Sequence, residues 1–404
     1  MAVSASVATL AGCAPDAAAL DDDQLASRAS SVGVEDRAQL HSQVRLFDGG
    51  TAGYHSYRIP SLITAPNGTL IAFVEGRMSQ NDDYGNINVL YKTSSDDGKT
   101  WSALKQVVGA GQGTWGNPTA VVDRLQNRIW LFMSWNDADH AQGGHGGLLP
   151  ITEWGQRRVF VSHSDNNGGT WTKPEDLTAT LLPPSYAWDA IGPGVGIQTQ
   201  DGRLIVPASS RNIYAESDTV GNTVWKYAMT PRDTSEGTIV EMVDGSFLRN
   251  DRGVGRVLDV GGDNLRRWVS RGTIEGGFAA FKPEPALLDT GCEGSTLRYT
   301  SGRILFLNPA TTSEEFPRCR MKLRVSYDDG RTWPIDRYVY DSISLTEACK
   351  TGKGGYSSIA KTADNQIGML IEVDEAVGTK GSHRSIDFHK VNLPWLLHGT
   401  PEPQ

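Results

Sequence analysis

The sequence predicts an all-β protein, a six-bladed β-propeller, and three observations carry that prediction. An eight-residue motif recurs three times, glycine is abundant, and sustained helical periodicity is nearly absent. The motif S-x-D-x-G-x-T-W runs from Ser94 to Trp101 and again from Ser326 to Trp333, with a third copy from Ser164 to Trp171 that carries Asn166 where the others carry Asp. The 45 glycines are about a ninth of the 404 residues, against roughly 7% in average proteins. Almost no stretch repeats apolar residues at i, i+3, i+4 and i+7, the mark of an amphipathic helix.

Each copy follows an alternating run such as Ile87 to Thr93 or Met321 to Val325, so the motif is expected to be a hairpin turn. The Asp bonds its own downstream backbone, the Gly accepts positive φ, and the Trp packs on the sheet. Copies beginning at 94, 164 and 326 leave room for degenerate ones, of which Ser217 to Trp225 is a poor candidate. Repeats of four short strands closed in a ring remove exposed sheet edges. Residues 44 to 396 suit six blades of about 60 residues, and Pro394-Trp395-Leu396-Leu397 reads as a closing segment.

Before the blades, residues 1–13 are small and apolar and end in Leu10-Ala11-Gly12-Cys13. This resembles a bacterial lipobox, although the cationic start of a signal peptide is missing. Residues 14–43, with Asp21-Asp22-Asp23 among many Ala and Ser, read as a flexible acidic tether. The expected organisation is a 1–13 signal or lipobox segment, the tether, and one six-bladed propeller domain over 44–404. Export is expected, as a secreted or extracytoplasmic protein with or without a lipid on Cys13. No other run reaches the ~18 apolar residues of a membrane span.

Net charge is −9, from 38 Lys+Arg and 47 Asp+Glu. With no long basic run, this argues against a nucleic-acid partner. A pocket of converging arginines is still compatible with an acidic protein. Besides Cys13 there are Cys292, Cys319 and Cys349, none with CxxC or His-adjacent metal spacing. No cofactor or metal is implied, and Cys319 and Cys349 either pair across neighbouring strands or stand with Cys292 as buried thiols. A monomer is expected.

The three repeats, with Tyr57-Arg58-Ile59-Pro60 before the first, resemble the exo-sialidases, six-bladed propeller neuraminidases of the retaining glycoside hydrolase type. The similarity covers nearly all of 44 to 396. It is strongest to fungal members active on Kdn, the deaminated sialic acid, through Gly113-Thr114-Trp115-Gly116-Asn117-Pro118-Thr119 and Ala187-Trp188-Asp189-Ala190-Ile191-Gly192-Pro193-Gly194. The resemblance implies removal of terminal α-linked nonulosonic acids from sialylated or Kdn-terminated glycans, Kdn favoured and N-acetylneuraminic acid the alternative. A trans-sialidase and a non-catalytic glycan-binding propeller are the other classes to weigh.

Such chemistry needs a carboxylate clamp, a proton donor and a nucleophile. The family's clamp is three arginines, and Arg suits bidentate carboxylate contact. Arg58 of Arg-Ile-Pro matches the first. Arg252 of Asn250-Asp251-Arg252, sixteen residues past the candidate Glu, matches the second, amid Arg249, Arg256, Arg266 and Arg267. Arg318, eight residues before the last repeat, matches the third, with Arg320 as competitor.

The acid/base matches Asp83, six residues after Arg77, with Asp82 as fallback. Partial burial is expected to raise its pKa. Arg77 itself matches a loop arginine facing the sugar. The nucleophile matches Tyr356 in Gly354-Gly355-Tyr356-Ser357-Ser358. Sialidases are the handful of retaining glycosidases that use Tyr, because a neutral phenol avoids repulsion from the substrate carboxylate. A phenol near pKa ~10 needs a base, matched by Glu236 of Ser235-Glu236-Gly237-Thr238. In Trp154-Gly155-Gln156-Arg157-Arg158 the second arginine, Arg158, is the specificity candidate. Asn117 and Asp189 are expected to rim the site, while Trp115 and Trp188 either line it or fill blade cores.

Overall fold

The computed structural model describes residues 38–109, 111, 113–216, 223–231, 234–253, 265–311, 318–374 and 383–403. The expected 1–13 segment, most of the tether, Arg256 and part of the weak 217–225 repeat lie outside them.

The strands fall into successive antiparallel groups, mostly of four strands, the first two joined into one nine-stranded sheet by a parallel pairing of Ile87 with Thr114. The first is Ser56–Thr64, Leu70–Arg77, Ile87–Ser94 and Lys105–Val108. The second is Gly113–Asp123, Arg128–Asp137, Arg158–Ser164 and Glu175–Asp176. Two more begin at Ile197–Gln198 and Thr234–Glu241, and a fifth runs from Ser295–Thr300 to Ile335–Tyr338. The last joins Lys353–Lys361, Ile367–Val373 and Ser385–Val391 to His41–Phe47 from the other end of the chain. That pairing, with His41 opposite Val391 and Val44 opposite Phe388, ties the two ends of the described chain together. Strand structure thus starts at His41, three residues before the expected boundary. Its partner lies some 350 residues on, and His41 stacks on His389 and packs at a tilt against Trp395, contacts no local pattern reveals.

The first strand of each group packs against first strands of its neighbours: Ser56–Thr64 touches Gly113–Asp123 on one side and Lys353–Lys361 on the other. Apolar clusters fill the spaces between adjacent sheets. One unites Leu62, Leu70 and Val74 with Leu370, Ile386 and Phe388. The next joins Ile71 and Phe73 to Ala120, Leu131 and Met133.

The three repeats form one turn three times, between the third and fourth strands of their groups. Ser94 Oγ donates to Asp96 Oδ1 at 2.8 Å, and Asp96 accepts from Thr100 N at 2.8 Å and Thr100 Oγ1 at 2.6 Å. The Asp328 turn repeats those distances, and Asn166 replaces one carboxylate bond by donating to Thr170 Oγ1 at 2.9 Å. The turn glycine is required twice over. Gly98, Gly168 and Gly330 have φ of 84°, 81° and 75°, and a Cβ would lie 2.3 Å from Phe388, 2.5 Å from Ile71 and 2.5 Å from Leu248, each in the preceding group. The tryptophans follow: Trp101 meets Phe388 at 5.1 Å and Trp171 meets Phe73 at 5.4 Å. The repeats therefore fasten neighbouring sheets rather than merely closing hairpins.

Helices are few among the described residues. Leu345–Lys350 is capped by Ser344, and Leu393–Leu397, the expected closing segment, places Trp395 under Arg337 at 4.4 Å. No described helix is long and apolar enough to cross a membrane. Cys319 and Cys349 form a disulfide, from a loop to the end of a helix rather than across neighbouring strands, and Cys292 is free and buried.

Candidate active site

The candidate residues gather at one end of the sheets, where first strands begin and second strands finish. Four first strands are bulged there. The register shifts between Arg58 and Ser61, Gly116 and Thr119, Thr234 and Gly237, and Lys353 and Ser357. A bulge adds one residue and re-aims a side chain, and these four lie at or around Arg58, Asn117, Glu236 and Tyr356. Ile59 and Asn117 take left-handed φ of 56° and 57° within them.

Tyr356 is buried at the centre. Its hydroxyl donates to Glu236 Oε1 at 2.5 Å, and Arg252 Nη1 donates to Tyr356 Oη at 2.9 Å and to Glu236 Oε2 at 2.8 Å. Arg58 and Arg318 approach the ring, with guanidinium carbons 5.5 and 5.2 Å from its centroid. Burial, then the Glu236 carboxylate, pushes the phenol well above its usual range, against Arg252 and Arg318. The phenol is thus a protonated donor with an acceptor already in place. Arg318, not Arg320, reaches the ring. Of the other arginines near Arg252, Arg249 is paired with Asp251 and Arg267 with Asp289, both fully buried.

Arg58 is gripped by Glu372, Nε to Oε1 at 3.0 Å and Nη2 to Oε2 at 3.1 Å. The same carboxylate accepts from Ile59 N and Tyr356 N at 2.9 and 3.0 Å. Although burial opposes ionisation, Arg58, His383 and these bonds hold Glu372 down to about 2. One carboxylate therefore indexes the first arginine to the tyrosine backbone.

Asp83 pairs with Arg77 at 2.6 Å and faces Arg58 at 3.6 Å. Its side chain remains 76% exposed at the mouth of the site. Asp82 instead accepts from Tyr84 Oη at 3.1 Å, so Asp83 is the carboxylate brought to the cluster. The expected upward shift is corrected: crowding does oppose ionisation, but Arg77, Arg58 and Arg318 outweigh it and hold Asp83 below the usual carboxylate range. Sequence reasoning weighed burial and overlooked that its own clamp arginines surround this residue.

Two pocket assignments also change. Arg158 is exposed and pairs loosely with Asp176 at 3.7 Å; its neighbour Arg157 is the inward residue. Strand side chains alternate between faces, so a one-residue offset inverts the reading. Arg157 donates to Asn117 Oδ1 at 2.9 Å, Asn136 Oδ1 at 2.5 Å and Asp189 O at 2.9 Å, and lies 4.4 Å over Trp188. Asp189 contributes that carbonyl only. Its carboxylate is buried and committed to Arg211 at 2.6 and 2.8 Å. Asn117 also donates its N–H to Glu75, which pairs with Arg77 at 2.7 Å, so a single network runs from Arg157 to Asp83. Trp115 packs with Trp135 and Phe160.

Sequence reasoning missed Glu372, Glu75 and Arg157. The first two had a signal: a lone Glu ends the apolar runs Ile367–Val373 and Leu70–Arg77, and a carboxylate there must be paired.

With this geometry in view, a BNR repeat-like domain model matches residues 68–369. An exo-alpha-sialidase of Aspergillus fumigatus is 41% identical over 86% of this chain and 86% of its own. An exo-alpha-sialidase of Arthroderma benhamiae is 39% identical over 90% and 92%. The crystal structure of the intramolecular trans-sialidase from Ruminococcus gnavus aligns with TM-score 0.69 at 17% identity, over 89% of this chain and 99% of that one, a likeness of fold. The repeats, the bulged strands and the Tyr–Glu–Arg centre thus accompany extensive sequence identity, and the chain belongs to the exo-alpha-sialidase family.

Proposed function

We propose that this protein is an exo-α-sialidase that releases terminal α-linked nonulosonic acids with retention through a tyrosyl-enzyme intermediate, acting on Kdn in preference to N-acetylneuraminic acid. The observation that carries the reading is the Tyr356 hydroxyl, bonded to Glu236 and flanked by Arg58, Arg252 and Arg318. A lectin site has no use for a phenol with a base in contact.

In this reading the substrate carboxylate lies across the three guanidiniums, which presents the anomeric carbon to Tyr356. The phenol oxygen attacks that carbon as Glu236 accepts its proton. Asp83 gives a proton to the departing glycosidic oxygen, so the sugar–aglycone bond breaks to a neutral alcohol. Asp83, now a carboxylate, takes a proton from water attacking the same carbon. The sugar–tyrosine bond breaks, and the proton on Glu236 returns to the phenolate. Two inversions give net retention. The Arg157, Asn117 and Trp188 wall borders Asp83 and supports a pocket for the remainder of the sugar.

The domain reading follows: one propeller of six blades from about residue 41 onward. The disulfide supports export to an oxidising compartment.

The test compares fluorogenic Kdn and N-acetylneuraminic acid glycosides on wild type and Tyr356→Phe, with product stereochemistry followed by NMR. Failure of wild type to turn over either sugar sinks the reading. Undiminished activity in the Phe variant removes the tyrosyl intermediate.

A further inference from the structure

We propose that the Cys319–Cys349 disulfide is the positioning device for Arg318, so that affinity for the substrate carboxylate depends on that bond. The inference rests on the reading of Arg318 as a clamp arginine.

The three guanidiniums around Tyr356 are held in different ways. Arg58 has a two-pronged contact with Glu372, and Arg252 bonds both Glu236 and the Tyr356 hydroxyl. Arg318 has no carboxylate partner among the described residues; its guanidinium rests against the ring of Tyr356. A long side chain with several staggered torsions and, among the described residues, only a ring contact takes its position largely from its backbone.

That backbone is fixed from the next residue. Cys319 is bonded to Cys349, with the two Cα atoms 4.9 Å apart. Cys349 sits near the end of helix Leu345–Lys350, whose first turn is capped by Ser344 accepting from Glu347 N. The chain then turns, with Gly352 N donating to Cys349 O at 3.2 Å, into strand Lys353–Lys361. Tyr356 lies on that strand. A second contact closes the path: a Cβ on Gly354 would lie 2.8 Å from Cys319 Cα and 3.1 Å from Arg318 O. Hence the backbone at 318–319 lies directly against the strand two residues before the tyrosine. The disulfide locks this short circuit, so the arginine and the nucleophile move as one body.

The bland alternative is a cross-link that only restricts the unfolded chain. The two separate kinetically. Contacts to the substrate carboxylate are made in both ground and transition states, so their loss raises KM more than it lowers kcat.

The experiment measures KM, kcat and Tm for Cys319→Ala/Cys349→Ala, Arg318→Ala and the triple variant on a fluorogenic sialoside. Arg318→Ala is expected to raise KM roughly tenfold to a hundredfold, the loss of a charge-assisted contact. The double cysteine variant is expected to raise KM about fivefold or more with kcat within about twofold, and the triple variant to match Arg318→Ala alone. An unchanged KM in the folded double variant overturns the inference, as does a cysteine effect that persists in full without Arg318. If the double variant does not fold, wild type is reduced with a phosphine and its thiols are blocked. KM must then rise, and must recover when unblocked reduced protein is reoxidised; a KM indifferent to reduction overturns the inference. An Arg318→Ala variant with unaltered KM instead removes the clamp reading itself.

Discussion

Tyr356 and Glu236 share a hydrogen bond of 2.5 Å, and Arg252 closes the triangle by donating to both. Glu236 and Arg252 lie on paired strands of one sheet, and Tyr356 comes from another. The arrangement fixes the direction of proton flow: the phenol, raised by burial and by Glu236, keeps its proton until attack, and the carboxylate is the group in contact to receive it. Glu236→Gln keeps an acceptor oxygen but cannot take the proton. We expect kcat to fall roughly 10²–10⁴-fold with circular dichroism and Tm little changed. A variant within tenfold of wild type excludes Glu236 as the base.

Asp83 is held below its ordinary range by Arg77 and Arg58 against opposing desolvation. A carboxyl with a folded-state pKa below its unfolded value adds stability above the unfolded value, near 3.8. That stability is lost as pH falls through the folded value. Catalysis runs the other way, because the acid form must be populated. A substrate carboxylate at Arg58 and Arg318 offsets the charges that depress Asp83, so its pKa should be higher in the complex. The fall of kcat with rising pH is therefore expected at higher pH than that of kcat/KM, which reports the free protein. Asp83→Asn should remove the limb and cost roughly 10²–10⁴-fold on natural linkages, far less on a phenolic aglycone. Coincident limbs in the two profiles contradict the argument.

Arg157 and Arg158 are adjacent and predicted to behave oppositely. Arg157→Leu leaves the side-chain oxygens of Asn117 and Asn136 without their donor and uncovers Trp188. Loss of about 2–4 kcal/mol is expected, with a raised KM. Arg158→Leu breaks a 3.7 Å pair with Asp176, a 3.1 Å bond to Gly155 O and a contact over Trp135, all at an exposed side chain, and should stay within about 1 kcal/mol with unaltered kinetics. Urea melts and steady-state kinetics on both variants decide the matter; a kinetic defect confined to Arg158→Leu restores the sequence-based assignment.

The turns were legible because each is local: Asp96 bonds Thr100 within five residues, and the same spacing returns at 166 and 328. Tyr356, Glu236, Arg58, Arg252 and Arg318 were legible through flanking motifs, and the structure brings them together. Illegible were facts fixed by distant partners. Glu372 meets Arg58 across 314 residues, and His41 meets Val391. The side-chain directions of Arg157 and Asp189 depend on strand phase and on Arg211, neither of which a motif records. Asp83 was found by position but misjudged in charge, since Arg77 and Arg58 of its own sheet, with Arg318 from another, outweigh its desolvation.

The repeat glycines offer a test of the fold independent of catalysis. Gly98 has φ of 84° and would place a Cβ 2.3 Å from Phe388 of the preceding sheet. Gly302, also in a turn, has nothing within 4 Å of such a Cβ. Gly98→Ala therefore carries both a left-handed penalty of about 1–2 kcal/mol and a displacement of Phe388 from Trp101, costing about 1–3 kcal/mol more. The expected loss is about 2–5 kcal/mol, read as a lower denaturation midpoint with unchanged m-value. Gly302→Ala should remain within about 1 kcal/mol. Pairing Gly98→Ala with Phe388→Leu, which makes room for the methyl, should recover part of the loss. A double variant no more stable than the sum of the single losses rules out the contact between sheets as the reason this position is glycine.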